Sequence, residues 1–509
     1  MGTTETAAAT STTVPLSSRT RVLGLLAVHG WGLGALALTL ATFVLRVHNL
    51  AVESLDIDEA DVVVYALADL RTVLQRLLSA GDNGPGYMVL VRLWIAAAGQ
   101  SEFALRFLSL LPGVATVPLF YALGRKLFDQ RVGLAAAVLG TASTYLLFYA
   151  QMNKMYALMV ALTLATSYLL LRGIETGRWR YWLGYVAATT LLMSTHIFGA
   201  LVVPWHALYA LIALRGSRRH LLPWLVSVAA LTVPYVPLAL RRLGALQNPE
   251  TLTREFTGPR DLPSMFAFLA RDYGVRFEDE GQDLGLLLFA ALTLASIAVL
   301  AWRWPQARGR GLLFIGLGLG GPLTLVGAMV ALGAPLFASR YLVLTLPFYY
   351  LAWAGLAAAT FHRRFWLGGV ALLLVFAVGN GLRWWPAAFE GARFKEDFRT
   401  AVTTLQRQYQ PGDLVVTIHD SVANGVRYYS TAPLNIVSLE GGPGNPPDRS
   451  KLAMEPSTGR IWLVAISVEA PGLPELEYWL YDGRTLGSKR WLGGVMLAEF
   501  NRTEWFRWG

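Results

Sequence analysis

The sequence predicts a polytopic α-helical membrane protein of about 11 transmembrane helices with juxtamembrane helices, followed by a small C-terminal extracytoplasmic α/β domain. Of the 509 residues, 54% are hydrophobic and only 15% are charged, whereas soluble chains carry about 25% charged residues. Apolar runs close to the ~20 residues that cross a bilayer recur as far as residue 383. Beyond residue 384 the composition becomes that of a soluble domain.

Three regions follow from this composition. Residues 1–20 are rich in Thr, Ser and Ala and are expected to be disordered. Residues 21–384 form the membrane domain, with a long first outer loop at 46–102, and residues 385–509 form the C-terminal domain. The predicted spans lie near residues 22–45, 103–124, 131–149, 154–172, 181–196, 198–214, 221–240, 284–302, 311–333, 341–360 and 365–383.

The apolar segment "GPGYMVLVRLWIAAAG" (84–99) is not counted as a span, because it is short and carries Arg92 near its middle. We expect it to be a helix in the outer membrane interface. With a cytoplasmic N-terminus, the basic stretches then all lie inside, at 124–131, 172–180, 215–220, 303–310 and 362–364. That is the positive-inside pattern. It places the first loop and the C-terminal domain outside a plasma membrane.

Charge and cysteine content exclude several classes of protein. The net charge of +10 is divided among short clusters between apolar runs, so no continuous basic face for nucleic acid is predicted. Without cysteine, the chain has neither disulfides nor a thiol nucleophile or Cys-type metal site. The sequence shows no repeat of two halves, a feature of many transporters.

Four carboxylates open the run "SLDIDEADVVVYALADL" (54–70), directly after the first span: Asp56, Asp58, Glu59 and Asp61. A structural interpretation makes Asp56 or Asp58 the N-cap of a helix, with Glu59 and Asp61 near its positive end. That accounts for one or two of the acids. Four acids so close together repel one another, which is typical of sites that bind protons or cations, so a functional site is the competing interpretation.

Polar groups elsewhere converge on the same side of the membrane. Arg106, Lys154 and Arg340 lie at the outer ends of predicted spans, where the positive-inside rule makes cations uncommon. Three cations at one depth suit an anionic headgroup, and the alternative is snorkelling to the interface. The other members of this outer set are Asp82, Asn83, Gln151, Asn153, His196 and Tyr341. Among these, His196 suits a hydrogen bond between helices.

The C-terminal region predicts a small α/β domain without a phosphate loop or a metal-ligand cluster. An amphipathic helix at 395–409 precedes a Pro-Gly-Asp turn, and strand-like runs follow at 414–418, 434–439 and 460–467. We expect this domain to choose or position an acceptor and to contribute no catalytic group.

The order of these segments resembles the GT-C glycosyltransferases, in particular the family 39 protein O-mannosyltransferases and the bacterial aminoarabinose and lipid-carrier sugar transferases. The resemblance covers roughly residues 20–430 and departs from the family pattern at Asn83, Gly86 and Met152. After a first span and the pair Asp58-Glu59, its segments are "NGPGYMVLVRLW" (83–94), "SEFALRFLSLLPGVATVPLFYALGRKLF" (101–128), "YAQMNKMY" (149–156), "RYLVLTLPFYYLAWAGL" (340–356) and "KEDFR…PGDLVV".

The resemblance implies a membrane glycosyltransferase that moves a hexosyl or pentosyl group from a polyprenyl-phosphate-linked donor to an acceptor hydroxyl at the outer face. Asp58 becomes the general base and Glu59 its partner, and a single displacement with inversion is expected. The expected substrate-binding residues are Asn83, Arg106, Gln151, Lys154, His196, Arg340 and Tyr341.

No cofactor is expected to be required, but a divalent cation held by Asp56, Asp58 and Glu59 is an open alternative, since other GT-C enzymes hold one with acids of the first outer loop. The expected partners are the sugar donor, a glycan, lipid or protein acceptor, and membrane lipids. The alternative function is a non-catalytic or transport-type polytopic membrane protein that handles polyprenyl-linked glycolipids.

Overall fold

The structure is a computed structural model. It describes residues 18–77, 84–215, 218–237, 240, 261–274, 282–303, 310–332, 337–360, 366–389, 395–439, 448, 451–452, 459–466, 473–481 and 484–502. Residues 1–17 of the predicted N-terminal tail lie outside this part of the chain, as do Asp82 and the predicted site residue Asn83.

The membrane domain is a series of helices that largely follow the predicted apolar segments. Short 3-10 helices at Ile197–Leu201, Val233–Tyr235 and Ser339–Thr345 lie between some of them. The α-helices are α1 (Ser18–Val47), α2 (Ile57–Leu67), α3 (Leu70–Leu77), α4 (Pro85–Ala98), α5 (Glu102–Leu127), α6 (Gln130–Ala142), α7 (Thr144–Ala150), α8 (Tyr156–Thr176), α9 (Trp179–Thr195), α10 (Val202–Ala213), α11 (Arg218–Thr232), α12 (Leu262–Tyr273), α13 (Gln282–Arg303), α14 (Gly311–Ala331), α15 (Leu346–Thr360) and α16 (Trp366–Phe389).

Several of these helices meet the length and hydropathy that a membrane span requires. Within the described residues there are five, and a sixth if the bent pair α6–α7 is one span. The five segments are Gly30–Val47, Glu102–Leu127, Tyr156–Thr176, Gly311–Ala331 and Ser339–Ala358. The polytopic helical fold is therefore confirmed, whereas the number of about 11 spans stays a prediction.

The predicted span at 131–149 is divided at Ser143, where α6 and α7 meet at an angle of 62°. The Ser143 hydroxyl accepts the backbone N–H of Leu146 at the start of α7 and the O–H of Tyr350 at 2.7 Å. These bonds satisfy polar groups at the break, as backbone inside a membrane domain requires. Because α7 ends at Ala150, the turn at 151–155 returns against the first outer loop.

The first outer loop folds into three short helices, α2, α3 and α4. Arg92, in the middle of α4, donates to the carbonyl oxygens of Ala66 and Ala68 at 2.9 and 2.7 Å. It therefore satisfies the C-terminal end of α2, where carbonyl groups lack partners within the helix. Arg92 thus joins α4 to α2.

Gly86, one of the positions at which the chain departs from the pattern it resembles, lies at a close approach between α4 and α9. A Cβ atom on Gly86 would lie only 2.8 Å from Cβ of Ser194. The packing of these two helices therefore requires glycine, and this departure from the family pattern has a local structural reason.

The C-terminal domain is a five-stranded sheet flanked by helices. β1 pairs in parallel with β2 and β3, whereas β5 pairs antiparallel with β3 and β4, in the order β2-β1-β3-β5-β4. The predicted helix and first three strands are confirmed. The elements are α17 (Phe398–Gln408), β1 (Leu414–Thr417), α18 (Asp420–Tyr429), β2 (Ile436–Ser438), β3 (Ile461–Ile466), α19 (Leu473–Leu480), β4 (Arg484–Leu492) and β5 (Val495–Arg502).

Candidate active site

The acidic stretch of the first outer loop forms the N-terminus of α2. The Asp56 carboxylate accepts the backbone N–H of Glu59 at 2.8 Å, and the Glu59 side chain accepts the N–H of Asp56 at 3.3 Å. This reciprocal pair is a capping box. Asp56 is therefore the N-cap, and Asp58, in the first turn, is not needed to cap the helix.

Asp58 forms an ion pair with Lys154 at the surface of the membrane domain. The distance from Asp58 Oδ1 to Lys154 Nζ is 3.3 Å, and the Asp58 side chain is 43% exposed whereas that of Lys154 is 13% exposed. Lys154 lowers the pKa of Asp58, and Arg340 adds to this, although burial acts in the opposite direction. Asp58 is thus an accessible carboxylate that is ionised at neutral pH.

Arg340 lies near this pair, on the 3-10 helix Ser339–Thr345. Its guanidinium lies over the ring of Tyr341, 5.4 Å from the ring centroid, and has no ion pair with any acid in the described ranges. The Tyr341 ring packs against His196 with centroids 5.0 Å apart. The structure therefore brings together five of the predicted site residues, Asp58, Lys154, His196, Arg340 and Tyr341.

His196 is completely buried beside this group. Its Nδ1 accepts the backbone N–H of Phe198 at 3.1 Å, while Nε2 has no hydrogen-bond partner among the described residues. The rings of Tyr156 and Tyr341 flank it, with centroids 6.2 and 5.0 Å away. The expected hydrogen bond between helices is not seen at Nε2, so this buried nitrogen is unsatisfied among the described residues.

Glu59 lies in a buried cluster of charges below Asp58. Its carboxylate accepts five hydrogen bonds, from Asp56 N, Arg106 Nε and Nη2, Asn153 N and Lys395 Nζ. Burial alone would raise the pKa of Glu59, but Lys395 and Arg106 lower it below its usual range. As the partner of Asp58, Glu59 was expected either to orient it or to share its proton, and a carboxylate that is so fully occupied suits the orienting role.

Arg106 is likewise occupied by the protein itself. Its five N–H groups donate to Glu59 and to the carbonyl oxygens of Leu50, Glu53 and Ser54, at 2.7–3.1 Å. The side chain is only 2% exposed. The prediction that Arg106 binds the donor phosphate therefore does not fit the structure. Arg106 instead holds the first outer loop against α5.

Gln151 also has a structural role. Its amide nitrogen donates to the carbonyl oxygens of Arg46 and His48 at 3.1 and 2.7 Å. Both N–H groups of the amide are thus used at the C-terminal end of α1, and the role of Gln151 in substrate binding stays a prediction.

The three acids proposed as metal ligands do not form a metal site. Asp56 caps α2, Glu59 binds two cations, and Asp58 pairs with Lys154. Over the described ranges, no group of three His, Cys, Asp or Glu side chains is arranged to hold a metal ion. A divalent cation on these three acids would have to displace the existing cation partners.

Lys395 is the one charged member of the buried cluster that sequence reasoning missed. Its Nζ lies 2.9 Å from Glu59 Oε2, and the side chain is 5% exposed. It precedes α17, and 336 positions separate it from Glu59. No local pattern in "KEDFR" distinguishes this lysine from a surface lysine. The C-terminal region thus contributes a charge to the support of the acidic loop.

Further contacts join the C-terminal domain to the first outer loop. Asp61 accepts hydrogen bonds from Ser421 and Asn424 of α18, at 2.6 and 2.8 Å, and its burial raises its pKa. Arg399 of α17 forms an ion pair with Glu102 at 2.6 Å. Asp61 is therefore a contact between α2 and the C-terminal domain.

Comparison with known sequences gives one family. Residues 82–239 match the sequence profile of the family described as dolichyl-phosphate-mannose-protein mannosyltransferase. No curated protein matches the sequence.

Solved structures show the fold. ArnT from Cupriavidus metallidurans in the apo state is similar over 93% of this chain and 98% of ArnT, with a TM-score of 0.58 and 13% identity. ArnT bound to undecaprenyl phosphate is similar over 92% of this chain and 98% of ArnT, with a TM-score of 0.56 and 14% identity. The archaeal oligosaccharyltransferase AglB from Archaeoglobus fulgidus, with an inhibitory peptide and a dolichol-phosphate, is similar over 93% of this chain and 74% of AglB, with a TM-score of 0.51 and 12% identity. The predicted GT-C fold is confirmed.

Proposed function

We propose that this protein is a glycosyltransferase that moves a sugar from a polyprenyl-phosphate-linked donor to an acceptor hydroxyl, with Asp58 as the general base. The observation that carries this proposal is the grouping of an ionised, accessible Asp58 with Lys154 and Arg340. The mannosyltransferase profile supports sugar transfer, and the undecaprenyl phosphate and dolichol-phosphate bound to ArnT and AglB support a polyprenyl phosphate as the sugar carrier.

Asp58 suits the removal of a proton from the acceptor. A hydroxyl group is a weak nucleophile near neutral pH, and a carboxylate within hydrogen-bond reach takes its proton as the new C–O bond forms. Asp58 is accessible, ionised and not required for capping. Glu59 acts indirectly, because it fixes the first turn of α2 through Arg106 and Lys395.

Lys154 and Arg340 suit the leaving group. As the bond from the anomeric carbon to the carrier breaks, its electron pair and negative charge pass to the phosphate oxygen, which cations stabilise. A phosphate that pairs with Lys154 also weakens the ion pair of Lys154 with Asp58. The proton affinity of Asp58 therefore rises when the donor is in place. We assign one base and no separate nucleophile, so the proposed reaction is a single displacement with inversion.

The aromatic residues beside Arg340 suit the sugar. Tyr156, His196 and Tyr341 form a contiguous group of rings, and His196 Nε2 is a buried nitrogen without a partner among the described residues. A sugar hydroxyl that bonds to Nε2 would remove the cost of an unsatisfied buried group.

The site faces the outer side of the membrane in this proposal. The cytoplasmic assignment of the basic loops places the start of α2 and the C-terminal domain outside. We assign the C-terminal domain the role of receiving the acceptor, a glycan, a lipid or a protein, because this domain contacts α2 through Asp61.

The decisive experiment measures sugar transfer by the full-length protein in lipid. Mass spectrometry of envelope glycans, glycolipids and glycoproteins, with and without the protein, first identifies the sugar and the acceptor. Transfer from the corresponding polyprenyl-phosphate sugar is then compared between the natural protein and Asp58→Asn. A general base predicts a loss of about 10²–10⁴-fold.

The matched control for this experiment is Asp56→Asn. It removes a carboxylate from the same turn but keeps the cap, because Asn caps helices about as well as Asp. It should retain most of the transfer activity. Near-normal transfer by a folded Asp58→Asn protein would show that Asp58 is not the base, and the absence of any transfer by the natural protein would favour a transport-type role.

A further inference from the structure

The ends of α5 and α8 that lie away from Asp58 form a second charged site. α5 begins at Glu102, in contact with the C-terminal domain, and extends for 26 residues, which is about 39 Å. α8 begins at Tyr156, close to Asp58, and ends at Thr176. The last turns of both helices therefore lie at the opposite face of the membrane.

A cavity of about 390 Å³ lies between these last turns. Its volume falls within the range of about 300–1,000 Å³ that ligand pockets occupy. Three of its lining residues are cations and two are tyrosines. The lining residues are Tyr121, Ala122, Arg125, Lys126, Tyr168 and Arg172.

The charges around this cavity do not balance. Glu175 accepts hydrogen bonds from both Lys126 and Arg172, so one acid serves two cations. Arg125 has no acidic partner in the described part of the chain, and its guanidinium lies over the Tyr121 ring at 5.8 Å. The positive-inside rule and the favourable position of cations at helix C-termini both explain why cations lie at this face. Neither effect requires the cations to surround a cavity.

The chemistry of the lining favours a phosphate group on a lipid. Arginine binds phosphate through paired N–H groups, and Arg125 and Arg172 present two guanidinium groups to one cavity. Tyrosine is enriched at the depth of lipid headgroups, and basic pockets between transmembrane helices bind anionic headgroups. We propose that this cavity binds the phosphate headgroup of an anionic phospholipid, in the leaflet opposite Asp58.

Native mass spectrometry of the full-length protein tests this proposal. The protein in detergent is titrated with dioleoyl phosphatidylglycerol, with dioleoyl phosphatidylcholine, and with phosphatidylglycerol in the presence of inorganic phosphate. We expect retention of phosphatidylglycerol over phosphatidylcholine. Replacing two cations (Arg125→Gln with Arg172→Gln) should weaken that retention on the order of 20-fold.

The matched control removes two cations from the same face but outside the cavity, as Arg178→Gln with Arg180→Gln. Both arginines are exposed and neither lines the cavity. The control should keep the lipid preference. Sugar transfer, which takes place at the other face, should be unchanged in both double variants and serves as a check of folding.

If the double variant at the cavity fails to fold, Ala122→Glu places a carboxylate in the cavity without removing a contact of the arginines. It should also abolish the preference for phosphatidylglycerol. An equal loss in the cavity variants and the control would overturn the proposal, because it would show attraction to the general positive surface. Displacement of the lipid by inorganic phosphate would overturn it as well, since the site would then bind a soluble anion.

Discussion

Neighbouring carboxylates of the first outer loop differ in their environment and therefore in their protonation. Burial raises the pKa of Asp56 to about 7, an effect to which the charge of Glu59 adds. Lys154 instead lowers the pKa of Asp58. Burial raises the pKa of Asp61 at the domain contact. Such differences among adjacent acids are typical of active sites, and they single out Asp58 as the accessible ionised group.

Replacing Lys154 with Met should change the pH profile of transfer as well as its rate. Without Lys154 the pKa of Asp58 rises, so the acidic limb of kcat/KM moves to higher pH, because the base must be deprotonated to act. Loss of the phosphate contact should also lower kcat/KM, because the transition state loses about 1.5–3 kcal/mol of stabilisation, the range for a charge-assisted hydrogen bond. The profile is measured from about pH 4 to 9.

The control for Lys154→Met is Lys489→Met, which removes an equal charge from an exposed pair with Glu477 in the C-terminal domain. It should leave both the rate and the acidic limb unchanged. An unshifted acidic limb in Lys154→Met would mean that Lys154 does not set the protonation of Asp58.

Replacing Asp56 with Asn should change how stability depends on pH. A group with a raised pKa in the folded protein stabilises it below the unfolded pKa, and this contribution is lost as the pH rises through the folded pKa. For Asp56 this stability is lost between about pH 4, the unfolded pKa, and about pH 7, the folded pKa. The melting temperature of Asp56→Asn, relative to the natural protein, should therefore rise across this window, and a constant difference would contradict the raised pKa.

Sequence reasoning found the accessible residues of the site more readily than the buried ones. Lys154 and Arg340 were recognised because cations are uncommon at the outer ends of spans, and both lie near Asp58. Arg106 gave the same signal for a different reason, since it neutralises a buried carboxylate. A rule about the sequence positions of charges cannot separate these cases, because the partner of each cation is defined only by the fold.

At the scale of elements, the site forms where three chain breaks meet. The N-terminus of α2, the turn between α7 and α8, and the segment before α17 converge on Glu59, which accepts from Asn153 N and Lys395 Nζ. The first of these breaks carries a strong sequence signal in its four carboxylates, whereas the other two do not. The division of α6 from α7 at Ser143 lies within one continuous apolar run, so hydropathy alone predicts a single span.

The contribution of the segment before α17 is testable through Lys395. Lys395→Met leaves the buried Glu59 with Arg106 as its one cationic partner and should destabilise the protein by about 1.5–3 kcal/mol. Because Lys395 lowers the pKa of Glu59, its loss should raise that pKa. The stability that ionised Glu59 provides is lost as the pH falls through its folded pKa. On acidification, the variant should therefore lose this stability at a higher pH than the natural protein does.

Thermal melting from about pH 4 to 8 measures both effects. Lys395→Arg should retain most of the stability because it keeps the charge. Lys489→Met provides a comparison with an exposed lysine, whose ion pair is worth about 0–1 kcal/mol. Equal effects of the two methionine variants would show that the pair of Lys395 with Glu59 is not important.

The elements of the C-terminal domain were predicted unevenly. β1 and β3 are buried along their whole length and read as apolar runs. β4, "RTLGSKRWL", is an edge strand that is largely exposed and has charged residues at its centre. Edge strands gain from charges that prevent pairing with other molecules. Because of these charges, a prediction based on hydrophobicity does not identify the strand.

At the scale of the whole molecule, the fold is shared with proteins of very different sequence. Identities of 13–14% to ArnT accompany similarity over nearly the whole of both chains. In this chain the order of apolar segments and basic loops predicts how the helices cross the membrane. The structure adds the contacts between the first outer loop and the C-terminal domain, which lie too far apart in sequence to be predicted from local patterns.

Reporter fusions test the predicted orientation of the whole molecule. Fusions after residues 128 and 176 should give cytoplasmic signals, because these positions lie in basic loops. A fusion after residue 409, at the end of α17, should give an external signal. A cytoplasmic signal after residue 409 would invert the orientation and place Asp58 on the inner side.

The pair of Lys395 with Glu59 has a consequence for how the protein is made. Glu59 leaves the ribosome 336 residues before Lys395, an interval of roughly 20–70 s at synthesis rates of about 5–20 residues per second. During that time the nascent acidic loop lacks one of its two cations, although Arg106 is already present. A chain that terminates before Lys395 can insert its spans but lacks this second cation beside Glu59. The active site is therefore complete only after the last membrane helix has been synthesised.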